Sequence, residues 1–250
     1  MNSFRHTAAL SDVGRQRRRN EDRFHAQAAP GLLLVADGLG GHNAGEVAST
    51  IAVTTCSETL VALGGALVPE HLRLAVAEAN AAIFAAASNT PRWSGMGTTL
   101  VAAALCQGRL AVAHVGDSRL YRLRGDRLER LTRDHSFAED LLAQGYSTAE
   151  ALRRVESKAL TRALGPSLEV AIDLATFDMQ TDDVLLLCSD GLTGLVADSE
   201  IATLLLDGRQ ADRSLGSQPG APLESQAAAL VALANARGGH DNITVVLALY

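Results

Sequence analysis

Leu32-Leu33-Leu34-Val35-Ala36-Asp37-Gly38 and, much later, Val184-Leu185-Leu186-Leu187-Cys188-Ser189-Asp190-Gly191 share one design. Each is an apolar run of strand length that ends abruptly in aspartate and glycine, which reads as a buried strand reaching its rim. Ala111-Val112-Ala113-His114-Val115-Gly116-Asp117-Ser118 repeats the arrangement. Asp241-Asn242 inverts it by standing immediately before Ile243-Thr244-Val245-Val246. Each strand therefore delivers a carboxylate to the edge of the core. A single Asp-Gly pair is equally a hairpin-turn signal, and sequence alone leaves open whether the four rims converge. If they do, like charges share a small volume and raise one another's pKa unless cations compensate them. Oxygen-only ligands favour Mg²⁺ or Mn²⁺ over zinc.

Working outward, the strand pattern also covers residues 23–28, 98–105, 110–115, 119–124 and 243–249. Ala29-Pro30-Gly31 and Gln107-Gly108-Arg109 are short enough to join antiparallel neighbours. Ala-rich helical runs cover 45–63, 69–87 and 223–236, with Pro69 and Pro222 at positions where a first-turn proline is tolerated. Strands cluster instead of alternating with helices, so the expected class is α+β, with antiparallel sheets covered by helices. Residues 134–165 are polar and partly helical, an excursion from the sheets. Residues 209–221 are rich in Gly, Ser, Asp and Pro and are expected to form an exposed loop.

The chain has 250 residues, enough for one sizeable core, and residues 1–250 are expected to form a single domain. Aromatic residues are only 4%, so Ala, Val and Leu must fill that core. A net charge of −6 argues against a nucleic-acid binder. Cys56, Cys106 and Cys188 are odd in number and widely spaced, which fits reduced, structural thiols in the cytosol. No signal peptide or apolar run of membrane-spanning length is visible, so a cytoplasmic protein with no membrane partner is expected.

Other hydrolase signatures fail. No cysteine is followed six residues later by arginine, no G-x-S-x-G elbow occurs, and the Gly38-Leu39-Gly40-Gly41 stretch has Asn43 where a dinucleotide loop needs its third glycine. The chain resembles the type-2C, metal-dependent serine/threonine protein phosphatases in their compact bacterial form. The likeness is carried in order by Ser11-Asp12-Val13-Gly14…Arg17…Asn20-Glu21-Asp22, by Val35-Ala36-Asp37-Gly38-Leu39-Gly40-Gly41-His42, and by Gly97-Thr98-Thr99 with His114-Val115-Gly116-Asp117-Ser118-Arg119. Leu160-Thr161-Arg162-Ala163-Leu164-Gly165, Cys188-Ser189-Asp190-Gly191-Leu192 and Asp241-Asn242-Ile243-Thr244 complete it.

The resemblance implies a four-layer α-β-β-α sandwich of two antiparallel sheets flanked by helices. It implies hydrolysis of phosphoserine and phosphothreonine on proteins by a metal-activated water at a binuclear Mn²⁺ or Mg²⁺ site. Asp37 would bridge both ions, the Gly38 carbonyl would bind one, and Asp190 and Asp241 would complete the other. Asp22 would act at the edge of the cluster through water, and Asp117 with Asp190 would form the third metal site seen in bacterial members. Arg17 would grip the substrate phosphate beside Asp22, whereas Arg18 and Arg19 read as a solvated basic run. His42 is a general acid, a residue that orients water, or only a shaper of its loop. Phosphorylated proteins, and a serine/threonine kinase or its substrates, are the implied partners. The excursion over 134–165 would be a flap; within it, Val155-Glu156-Ser157-Lys158-Ala159 replaces the His-Pro and Asn-containing stretch usual in the family. A regulatory module without turnover and a different two-metal phosphoesterase, such as a nuclease, are the competing classes.

Overall fold

The computed structural model describes residues 3–40, 44–64, 68–153, 159–215 and 221–250. Strands β1 (His6–Asp12), β2 (Arg23–Gln27), β3 (Leu32–Ala36) and β4 (Gly38–Leu39) precede helices α1 (Ala44–Leu63) and α2 (Pro69–Asn89). Then come β5 (Gly97–Thr98), β6 (Leu100–Cys106), β7 (Arg109–Val115), β8 (Arg119–Arg124) and β9 (Arg127–Arg130). Two short helices, α3 (Phe137–Ala143) and α4 (Thr148–Leu152), lead to β10 (Asp173–Asp178) and β11 (Val184–Cys188). The chain ends with α5 (Asp190–Thr193), α6 (Asp198–Leu215), α7 (Ala221–Ala236) and β12 (Ile243–Leu249).

One sheet has the order β1-β12-β11-β8-β9 and the other β10-β7-β6-β3-β2, while β4 and β5 form a small ribbon. The apolar runs are continuous because each strand is buried on both faces, and successive side chains serve different layers. Leu32, Leu34 and Ala36 pack with Leu72, Val76 and Ile83 of α2 and Ala48 and Ala52 of α1. Leu33 and Val35 point the other way, into a layer shared with Leu185, Leu187 and Val246 of the opposite sheet. Leu186 and Cys188 face Ile201 and Leu205 of α6 and Leu230 of α7. The result is helix, sheet, sheet, helix, as expected.

The turn between β6 and β7 has φ of 51° at Gln107 and 79° at Gly108, the pair of positive values that a two-residue hairpin turn needs. Besides the two-residue β4 of the ribbon, three strands of the main sheets escaped the sequence reading: β1, β9 and β10. All are edge strands, where burial asks for no continuous apolar run. The expected strand over 98–105 is broken at Thr99, whose N–H leaves the sheet for the Asp37 carbonyl at 2.9 Å. The expected loop over 209–221 is corrected in its first half, since α6 continues to Leu215; residues 216–220 lie outside the described residues. Gly208, just before that stretch, is a helix-crossing point and not a stop, because a Cβ there would lie 1.9 Å from Nε2 of Gln226 on α7.

Leu187 fills the inner layer with no exposure, whereas Leu174 on edge strand β10 keeps 39% of its surface in solvent. Leu187→Ala is expected to lower the unfolding free energy by about 2–5 kcal/mol, and Leu174→Ala by under about 1 kcal/mol. Denaturant melts of both variants check this; equal losses would contradict the layer assignment.

Candidate metal centre

Antiparallel pairing sends the aspartate-bearing strand ends to one end of the sandwich. In one sheet His114 of β7 stands opposite Val101 of β6, and Val101 opposite Val35 of β3, so β3 and β7 finish together. In the other, Cys188 at the end of β11 stands opposite Val245 near the start of β12. Asp37 and Asp117 therefore arrive from one sheet and Asp190 and Asp241 from the other. All four line a cleft of about 190 Å³, together with Arg17, Glu21, Gly38, Leu160 and Asn242. Asp22, on the loop between β1 and β2, is 2% exposed and close enough for its charge to act on Asp37.

Asp37 and Asp117 are held by their backbone surroundings. The Asp37 N–H donates to Thr99 Oγ1 at 2.9 Å, and its carbonyl accepts from the Thr98 hydroxyl at 2.8 Å and the Thr99 N–H at 2.9 Å. Gly38 has no room for a side chain: a Cβ would lie 2.3 Å from the Gly45 carbonyl oxygen at the start of α1. Gly116 sets the Asp117 turn with φ of +108°, and a Cβ there would meet Thr99 Cβ at 2.6 Å. Asn242 joins the pieces. Its Oδ1 accepts from the Glu21 N–H at 2.8 Å, and its Nδ2 donates to the carbonyls of Val13 at 2.9 Å and Arg19 at 2.8 Å. The loop bearing Arg17 and Asp22 is thus tied to the residue next to Asp241.

The charges strain against one another. Burial, followed by the charges of Asp22, Asp190, Asp117 and Asp241, raises Asp37 well above the ordinary aspartate range. Burial and then Asp190 push Asp117 up to about 7. Burial pushes Asp22 up to about 6, with the nearby Thr244 and Ser189 acting the other way. Asp22 turns Oδ2 to the Ser189 hydroxyl at 2.7 Å and leaves Oδ1 buried without a hydrogen-bond partner.

Among the described residues, no three His, Cys, Asp or Glu side chains are gathered, as they stand, into a set that could hold an ion. Arg17 donates to Asp241 Oδ2 at 2.7 Å. The donor set nevertheless fits a hard divalent cation. It is entirely oxygen, it carries unrelieved negative charge, and it includes a buried carboxylate oxygen that nothing satisfies.

The structure brings Arg17, Asp37, Gly38, Asp117, Asp190 and Asp241 to one cleft, with Asp22 buried near them. Arg17 meets Asp241, where the spacing had suggested Asp22. Glu21 was missed: it lines the cleft, and burial raises its carboxyl too. The only signal for it was its place between Asn20 and Asp22. His42 lies outside the described residues, as do 155–158 of the atypical stretch. Leu160, where that segment returns, reaches the cleft and pairs with Ser136.

A family model described as protein phosphatase 2C matches residues 14–215. A serine/threonine phosphatase, stp, of Listeria monocytogenes is 39% identical over 250 residues, covering 97% of this chain and 94% of that protein. The crystal structure of the Mycobacterium tuberculosis serine/threonine phosphatase PstP superposes with a TM-score of 0.85 at 38% identity, covering 97% of each chain. A PstP catalytic domain in complex with two manganese ions gives a TM-score of 0.85 at 36% identity, covering 100% of this chain and 99% of that one.

Raised carboxyl pKa values mean that the folded protein holds more protons than the unfolded chain between the ordinary aspartate value of 3.8 and about 6 to 7. The stability these groups contribute is full below the ordinary value and is lost as pH rises through the raised one. With chelator present, the melting temperature is expected to fall by several degrees from pH 5 to pH 8. Asp37→Asn should make that fall shallower, as scanning calorimetry of both proteins would reveal; an equally steep fall in the variant would contradict the mutual repulsion.

Proposed function

The chain belongs to the protein phosphatase 2C family, and from that premise we propose that it removes phosphate from phosphoserine and phosphothreonine on proteins, with Mn²⁺ or Mg²⁺ held by this cleft. The observation that carries the reading is the convergence of carboxylates from both sheets and the β1–β2 loop on one small volume. Asp37, the Gly38 carbonyl, Asp190 and Asp241 are the residues that would hold two ions. Asp117 with Asp190 would hold a third, and Asp22 would act through water. Bound there, divalent ions supply a deprotonated water as nucleophile and neutralise charge on the phosphoryl group.

The chain's own residues do the rest. Arg17 stands exposed at the mouth and already holds a carboxylate, so an incoming phosphate competes with Asp241 for it. A guanidinium takes two phosphate oxygens at once, in pairs about twice as strong as neutral hydrogen bonds. The Thr98 and Thr99 bonds to Asp37 keep that carboxylate from retreating along the strand. A covalent cysteine route has no support: burial pushes the Cys56 and Cys188 thiols up to about 12, which leaves them protonated.

Residues 1–250 are read as one catalytic domain, with 134–165 as a flap whose returning end contributes Leu160 to the cleft. No helix of the described residues is long and apolar enough to cross a membrane. Free, buried cysteines support a reducing, cytoplasmic setting. The activity opposes a serine/threonine kinase acting on the same phosphoproteins.

Hydrolysis of a dye phosphomonoester and of a phosphothreonine peptide is expected to vanish on chelation and to return with Mn²⁺ or Mg²⁺ but poorly with Zn²⁺. Full activity after exhaustive chelation would end the reading. Asp37→Asn, Asp190→Asn and Asp241→Asn should each lower kcat by orders of magnitude in a protein that still folds. Arg17→Ala is expected to raise KM for the phosphopeptide markedly with little change in metal affinity, and Arg17→Lys to restore it only in part. A normal KM in Arg17→Ala would remove that residue from phosphate binding.

A further inference from the structure

Most guanidiniums of this protein are engaged by carboxylates: Arg23 by Glu46, Arg119 by Asp134, Arg124 by Asp183 and Arg237 by Glu200. Arg15, Arg18 and Arg19 are different. All three are exposed, and none makes an ion pair among the described residues. Arginines without a carboxylate elsewhere stand apart, such as Arg92 over the Trp93 ring and Arg209 on the Gly125 carbonyl. These three flank Arg17, which lines the cleft, within five consecutive residues.

Their backbone is held in place. The Arg15 N–H donates to the Gly239 carbonyl at 2.8 Å, and the Arg19 carbonyl accepts from Asn242 Nδ2 at 2.8 Å. Between them, Gln16 bonds the ring of His240 and Arg17 bonds Asp241. The segment is therefore fastened along residues 239–242, beside a cleft carboxylate, and its cationic side chains are exposed. Arg19 lies near enough for its charge to act on Glu21 in the cleft wall. A chain of net charge −6 repels acidic peptides as a whole, and a local cluster of exposed cations beside the cleft opposes that repulsion.

We propose that Arg18 and Arg19, with Arg15 behind them, form a docking surface for an acidic side chain near the phosphorylated residue of the substrate. This deepens the phosphatase reading and rests on it. An extended peptide advances about 3.3–3.6 Å per residue, so the acidic residue belongs within about three positions of the phosphoresidue. Arg17 takes the phosphate, and the neighbouring arginines select what accompanies it.

The test uses phosphothreonine peptides that differ only in carrying Glu or Lys two positions before or two positions after the phosphoresidue, with a dye phosphate as reference. The parent is expected to prefer a Glu peptide over its Lys counterpart by about fivefold in kcat/KM, mostly through KM, the scale of one or two exposed ion pairs. The preference should collapse in about 0.5 M salt, where screening is short-ranged. An Arg18→Ser, Arg19→Ser double variant should treat the two peptides alike while turning over the dye phosphate as the parent does. Arg18→Lys with Arg19→Lys should keep the preference, because the charge remains. Absence of a Glu preference in the parent, or its persistence in the serine variant, would overturn the proposal. A parent that hydrolyses the dye but neither peptide would instead overturn the protein-phosphatase reading.

Discussion

Like charges that two separate sheets deliver to one rim must be held together by something other than their own attraction. The inner apolar layer does this. Leu33 and Val35 of one sheet and Leu185, Leu187 and Val246 of the other fuse the two β-sheets just beneath the carboxylates. Separating the sheets would relieve the repulsion at Asp37, Asp117, Asp190 and Asp241, but only by exposing that layer. The hydrophobic term is the larger: fully burying each such side chain contributes roughly 1.5–3 kcal/mol. The fold therefore stores electrostatic strain at its open end, and divalent cations are the partners that would discharge it.

Rigidity at the site comes from backbone contacts that a side chain would prevent. Gly38 lies against Gly45, and Gly191 lies so close to Asn242 that a Cβ would stand 1.9 Å from its carbonyl oxygen. Asn242 then uses all of its amide on the loop that carries Arg17, Glu21 and Asp22. Asp241, Arg17 and the neighbouring basic segment are thereby fastened to one another. Preorganisation of this kind makes electrostatic stabilisation effective, because the groups need not reorganise as charge develops.

Much of this was legible in the sequence because burial on both faces leaves a plain mark. Leu32–Ala36 and Val184–Cys188 are runs with no polar interruption, and their bounds in the structure match those read from the sequence. The edge strands β1, β9 and β10 left no such mark, since only one side of each needs covering. Glu21 was obscure for another reason: it stands on a loop, where no periodicity reports which way a side chain turns. The pairing of Arg17 with Asp241 spans 224 positions of sequence, and no local pattern encodes a contact at that separation. The loop expected over 209–221 began too early because the polar, Gly- and Ser-containing residues that suggested it include the last turns of α6.

The central claim is that this carboxylate cleft is a divalent-metal centre, and anomalous diffraction from crystals grown with Mn²⁺ tests it most directly. The account predicts two strong manganese peaks in the cleft, both in contact with Asp37, one with the Gly38 carbonyl and the other with Asp190 and Asp241. Peaks confined to other carboxylates, or a cleft without manganese at saturating Mn²⁺, would contradict it.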